Sequence, residues 1–185
     1  MAALLALSRA VDALSAAFGR AAEWLVLLAC LVSAGNAVSR YALSASSNAW
    51  LEVQWYLFAG CVMLGAAHTL RRNGHVRVDL VYASLSERGR LWVDVAGLVL
   101  FLLPAMALLA WMTWPFFLDS WARAEGSPNA GGLLRWPAKL ALPVGFGLLV
   151  LQGLSELVKR VALLRGDVAS PEEAGTVLAY EKPVQ

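Results

Sequence analysis

The sequence predicts an all-α integral membrane protein with four transmembrane helices. An amphipathic helix precedes them, and the link between the second and third spans has room for a short interfacial helix. Three observations carry this reading: charge-free runs, bulk composition and the placement of Lys and Arg. Trp24–Ser39, Val53–Leu70, Val95–Leu118 and Leu140–Ser155 contain no Asp, Glu, Lys or Arg. A membrane-spanning helix needs about 20 mostly apolar residues. The first run reaches that length when Ala21–Glu23 and Arg40–Tyr41 extend it, and the last when Trp136–Lys139 does. The chain has 185 residues and is 59% hydrophobic, with a mean hydropathy of +0.62. That is too much apolar surface for a soluble domain of this size.

Orientation follows from the cations. With the N-terminus cytoplasmic, Arg9, Arg20, Arg71, Arg72, Arg77, Arg88, Arg90, Lys159, Arg160, Arg165 and Lys182 lie inside. Arg40, Arg123, Arg135 and Lys139 lie outside. Eleven of the fifteen are thus inside, and positive charge near helix ends favours the cytoplasmic face. Both termini are therefore expected in the cytoplasm. Trp24 and Trp92 then mark the inner interface, with Trp50, Trp114, Trp121 and Trp136 at the outer one, where amphipathic rings prefer to sit.

Along the chain, residues 1–20 form an element of their own. Leu4, Leu7, Val11, Leu14 and Phe18 recur at spacings of three and four, with Arg9, Asp12 and Ser15 off that stripe. Such a helix lies in the inner interface, packs on a partner helix or simply leads into the first span. It is not a cleavable signal peptide, because it lacks a basic start and Arg9 and Asp12 interrupt its apolar run. Residues 21–165 form the four-helix domain. Within it, Ser44–Ala49 is a short polar connection and Arg71–Trp92 a longer one. The interfacial helix is expected around Leu80–Arg90, with Leu80, Val81, Leu85 and Leu91 facing lipid. Asp119–Arg135 is the richer outer connection, carrying Asp119, Trp121, Arg123, Glu125 and Asn129, with turns signalled by Ser127–Pro128 and Gly131–Gly132. Residues 166–185 are polar and read as a disordered cytoplasmic tail.

Function is bounded by exclusion. A net charge of +2 without a basic, aromatic-interleaved run gives no nucleic-acid surface. Cys30 and Cys61 lack CxxC spacing and read as small membrane residues. His68 and His75 are seven residues apart, but Gly74 is expected to end the helix before His75, which leaves no metal or haem site. Ionisable groups inside a membrane are costly and mark function. Here Arg40, Glu52 and Lys139 fall near the outer helix ends, and Glu23, Asp94 and Glu156 near the inner ends. Pro104 and Pro143 can kink their helices, while Asn36, Gln54 and Gln152 can hydrogen-bond between helices. A coupled carrier would place a charge at mid-membrane or break its helices. The chain reads as a non-enzymatic accessory subunit packing on a larger partner. A self-assembling four-helix small-molecule exporter is the alternative, although such exporters carry an acidic residue in the first span and Trp24–Ser39 has none.

Several segments resemble the small membrane subunits of TRAP transporters, the DctQ-like family. These are Arg40-Tyr41 with Ser46-Ser47-Asn48-Ala49-Trp50-Leu51-Glu52, and Leu64-Gly65-Ala66-Ala67 followed by Arg71-Arg72-Asn73-Gly74-His75-Val76-Arg77-Val78-Asp79. Ser120-Trp121, Glu125-Gly126-Ser127, Gly131-Gly132-Leu133 and Trp136-Pro137 continue the set. Leu142-Pro143-Val144-Gly145-Phe146 and Leu151-Gln152-Gly153 close it. The resemblance covers about residues 20–165. It implies a tripartite system in the bacterial inner membrane, in which a periplasmic binding protein delivers an organic acid. A large many-helix subunit would hold the substrate and sodium sites, and the four-helix subunit would flank it as scaffold. No cofactor or metal is then expected in this chain. The Ser-Ser-Asn-Ala-Trp-Leu-Glu stretch looks most like the subgroup labelled mannitol or chloroaromatic transport, with a 2-oxo acid or other monocarboxylate as the expected cargo. Candidate docking residues for the binding protein are Trp50, Glu52, Trp121, Arg123, Glu125 and Asn129, with the alternative that Glu52 pairs with Arg40. Arg40, His75 and Asp79 match family-signature positions without a derived role.

Overall fold

The computed structural model describes residues 1–45, 47–75 and 82–176, apart from the side chain of Ala83. Four helices among these are long and apolar enough to cross a membrane. They are α1 (Ala2–Ala42), α2 (Asn48–Arg71), α3 (Glu87–Ala122) and α4 (Trp136–Arg165). A short helix, α5 (Pro171–Ala174), follows. The all-α membrane fold is therefore as the hydropathy pattern predicts.

The packing is uneven. α1 and α2 run antiparallel, with Gly19 against His68 and Gly60 against Leu25. α4 packs on α2, on α1 and on α3, whereas α3 packs chiefly on α4. In α4, 39% of the apolar window is buried, against 6% in α3. The molecule is thus a three-helix cluster of α1, α2 and α4, with α3 attached as an outrigger through α4. Small residues allow the close crossings: a Cβ on Gly145 would lie 2.7 Å from both the Cβ and the backbone oxygen of Met63. One on Gly153 would lie 2.7 Å from Leu102 Cδ2. Short side chains at such crossings are the usual means of helix packing in lipid.

The helix α3 carries a feature that hydropathy does not show. Leu98–Leu102 forms a π turn, in which the Leu103 N–H bonds the Leu98 carbonyl. Pro104 follows at once and has no N–H to continue the α ladder. The wider turn absorbs that loss and brings Leu102 and Leu103 onto Gly153.

Three sequence expectations change. Residues 1–20 are not a separate element but the first half of one continuous 41-residue helix. Its apolar stripe faces outward, as an interfacial or partner-facing stripe would: Leu4, Leu7 and Leu14 are exposed, while Ser8, Ser15, Gly19 and Ala22 are buried. The polar stripe faces protein because its partners on α4 are themselves polar, and the apolar stripe is left for lipid or a partner. Second, there is no separate interfacial helix among the described residues before α3. One 3₁₀ turn, Tyr82–Ser84, leads to Ser86, whose hydroxyl caps Gly89 N–H at the start of the span itself. Leu85 and Leu91 are half-buried, and Leu80 and Val81 lie outside the described residues.

The third change concerns residues 166–176, which are ordered rather than disordered. Gly166, with φ of +74°, ends α4 in the left-handed conformation glycine adopts freely, and Asp167 N–H returns to the Ala162 carbonyl. Ser170-Pro171-Glu172-Glu173 then works as a helix start: the Ser170 hydroxyl accepts from Glu173 N–H, and the Glu173 carboxylate accepts from Ala169 N–H. Residues 177–185 of the expected tail lie outside the described residues.

Candidate functional site

Two polar regions stand out, one at each end of the cluster. At the end where α1 begins and α4 finishes, the buried stripe of α1 meets the last turns of α4. Lys159 Nζ pairs with Asp12 at 2.7 Å and with Glu156 at 2.8 Å. Arg160 bridges Asp94 of α3, at 2.9 Å, and Glu156. Gln152 accepts from the Ser15 hydroxyl at 2.7 Å and donates to Asp12 and Glu156 at 3.0 and 3.1 Å. Ser8 and Ser155 share a hydroxyl bond of 2.6 Å, and Ser155 also donates to Asp12. The Thr176 hydroxyl donates to Glu156 at 2.6 Å, so the chain beyond α5 closes over the cluster. Arg71 of α2 donates to the Asp12 carbonyl at 2.9 Å.

Lys159, Gln152 and Glu156 are almost wholly buried. Buried charges persist only when paired and hydrogen-bonded, and here Asp12 and Asp94 each meet a base on α4 while Glu156 is flanked by both of those bases on its own helix. This network joins all four spans and offers no open acceptor for a passing solute. It fits the role of a lock between helices. Of the three polar residues expected to link helices, Gln152 does so. Gln54 instead donates to Trp50 O within α2, and the buried Asn36 Oδ1 has no partner among the described residues.

At the opposite end, Asp119–Arg135 folds onto the start of α2. The Ser127 N–H donates to the Leu133 carbonyl and the Arg135 N–H to the Glu125 carbonyl, closing a small hairpin. Glu52 anchors it. Its carboxylate accepts from Leu133 N–H at 2.7 Å, from Asn129 Nδ2 at 2.8 Å and from the Ser127 hydroxyl. Asn48 Nδ2 donates to the Ala130 carbonyl. Gly132 is needed at the crossing, since a Cβ there would lie 2.5 Å from Ser127 Cβ. Glu125 pairs with Lys139, whose ammonium also lies 3.9 Å from the centre of the Phe116 ring. The Lys139 ammonium, hydrogen-bonded to it, holds the Glu125 carboxyl below the usual carboxylate range. Trp121 meets Trp136 edge-on at 4.5 Å and ties α3 to α4.

The six candidate docking residues therefore share one end of the molecule but divide by environment. Trp50, Trp121, Arg123 and Asn129 are exposed, with Arg123 paired to Asp119 on its own helix. Glu52 and Glu125 are half-buried, with their carboxylates engaged inside the loop. Glu52 does not pair with Arg40, which is exposed, because the loop occupies both of its oxygens. His75 is exposed past the end of α2. The helix stops at Arg71 and Asn73 takes the left-handed conformation at φ of 52°, so the turn comes just before Gly74. Asp79 lies outside the described residues. The network of Asp12, Asp94, Glu156, Lys159 and Arg160 is what sequence reasoning missed. The available signal was Glu156 followed at three and four positions by Lys159 and Arg160.

Residues 29–163 match the family described as tripartite ATP-independent periplasmic transporters, DctQ component. No curated protein and no solved structure matches the chain.

Proposed function

We propose, because this chain belongs to the DctQ component family of the tripartite ATP-independent periplasmic transporters, that it is the non-catalytic small scaffold subunit of such a transporter. It would flank a large many-helix subunit in the bacterial inner membrane, with both termini in the cytoplasm. The complex would take up an organic acid, a 2-oxo acid or other monocarboxylate, driven by sodium through sites in the large subunit. The family match over 29–163 carries this reading. Two structural features support it. The buried charged groups of the spans, Asp94, Glu156, Lys159 and Arg160, are consumed in a closed network rather than lining a path. The apolar window of α3 is almost entirely uncovered, which suits a helix that meets lipid or another subunit.

The decisive experiment is reconstitution. The purified chain in liposomes with an imposed sodium gradient should accumulate no organic acid until the large subunit and the binding protein are added. Sodium-dependent uptake by this chain alone would overturn the scaffold reading and favour the exporter. The loop end would contribute to docking, through Trp50, Trp121, Arg123 and Asn129 at the surface, with Glu52 and Glu125 holding the loop in shape. Rim charges act more on encounter than on affinity. Arg123→Glu should therefore raise the amount of binding protein needed for half-maximal uptake while assembly stays intact. An unchanged titration would remove Arg123 from the docking surface.

A further inference from the structure

At the loop end the first turns of α2 and α4 part around a groove of about 550 Å³. Leu51, Trp55 and Ala138 make its lining mostly apolar. Three charged side chains border it, and two are already satisfied: Glu52 by the loop and Lys139 by Glu125. The third is Arg135. It is half-buried, and its guanidinium makes no hydrogen bond or ion pair among the described residues. The two amides beside it, Asn48 and Asn129, are spent on the Ala130 carbonyl and on Glu52.

A guanidinium offers five donors in a planar fork that matches the oxygens of a phosphate. Leaving such donors unmet next to apolar surface is costly. The depth of the site is set by its neighbours. Trp55, 78% exposed, lines the groove, and Trp50, Trp121 and Trp136 ring the same end of the spans. Tryptophans gather at the headgroup level. The groove therefore joins an unmet cation at headgroup depth to an apolar channel running into the span.

The geometry points to a bound phospholipid, with its phosphate on the Arg135 guanidinium and one acyl chain laid along Leu51, Trp55 and Ala138. The charge favours an anionic lipid such as phosphatidylglycerol, because the lining carries two cations, Arg135 and Lys139, against the single carboxylate of Glu52, and Arg135 makes no direct contact with a carboxylate among the described residues. A carboxylate from a protein partner would satisfy the charge but leave the apolar channel empty.

The test is native mass spectrometry of the full chain, purified in mild detergent, delipidated and then titrated with phosphatidylglycerol. The wild type should rebind one lipid, and Arg135→Gln should weaken binding about tenfold or more, as expected for the loss of a charge-assisted pair. Arg135→Lys should fall between, having charge without the fork. Ala138→Phe leaves Arg135 in place but fills the channel, and should also abolish rebinding. Millimolar inorganic phosphate or glycerophosphate should not displace the lipid. Equal binding by wild type, Arg135→Gln and Ala138→Phe would overturn the proposal. So would displacement by inorganic phosphate, which would mark a simple anion site. Loss of the lipid on adding the large subunit would show that protein covers the groove instead.

Discussion

Arg160→Met tests the lock where α1 begins and α4 finishes. Arg160 holds two carboxylates whose side chains are only 5% and 2% exposed, those of Asp94 and Glu156. Removing one member of a buried ion pair costs about 3–5 kcal/mol, because the remaining charge keeps its desolvation without its partner. Glu156 retains Lys159, Gln152 and Thr176, so the lower end applies, about 3 kcal/mol or roughly a hundredfold in the folding equilibrium. Reversible denaturation of the full chain in mixed micelles, followed by tryptophan fluorescence, reads this directly. The triple change Asp94→Leu, Glu156→Leu, Arg160→Met supplies the control. Apolar replacement of buried ionic partners together is often neutral, and Lys159 keeps Asp12 in this variant, so it should lose less stability than Arg160→Met alone. A single variant within about 1 kcal/mol of wild type, or a triple variant worse than the single, would refute the reasoning.

Other consequences can be checked separately. Gly145→Ala places a methyl 2.7 Å from the Met63 backbone oxygen; overpacking of this kind should cost about 1–3 kcal/mol in the same unfolding assay. Glu52→Gln replaces a carboxylate that accepts three loop hydrogen bonds and should loosen the loop locally. Its readout is faster labelling of a cysteine placed at Pro128, with global unfolding unchanged. The Glu125 carboxyl is held below its ordinary value of 4.5 by Lys139, so its ion pair stabilises the loop fully above that pH. The contribution is lost as pH falls through the lower folded value. Labelling of a cysteine at Pro128, taken relative to a free thiol at the same pH, should therefore stay slow from neutral pH to about 4.5 and rise only below it, whereas with Glu125→Gln the relative rate should be high throughout.

Hydropathy made the four spans legible because the bilayer imposes a length and forbids unpaired charge along it. Turn chemistry made the outer loop legible too: Ser127–Pro128 and Gly131–Gly132 both fall in the hairpin they signal. What the sequence hid was the partner of the polar face. The stripe of Leu4, Leu7 and Leu14 is expected at the interface or on a partner helix and does face outward, since in lipid the outside is the apolar phase. The face carrying Ser8, Asp12 and Ser15 therefore turns inward to Gln152, Ser155 and Lys159. The capping pattern Ser170-Pro171-Glu172-Glu173 was present in the sequence but was outweighed by its polar composition. The π turn before Pro104 depends on how α3 meets Gly153, a contact that no local pattern encodes. For the docking candidates, sequence placed all six at one end but could not separate exposed side chains from those holding the loop.

The pairing of Asp12 with Lys159 joins residues 147 positions apart. At roughly 5–20 residues per second of synthesis, the first of them waits about 7–30 s for the second. Through that interval α1, α2 and α3 can already be in the membrane while an aspartate at the base of α1 has no countercharge. The last span does more than complete the count: its arrival converts a nascent intermediate into a sealed product. A chain that stalls before Lys159 still displays that open carboxylate, and so differs from a finished subunit in one unpaired charge.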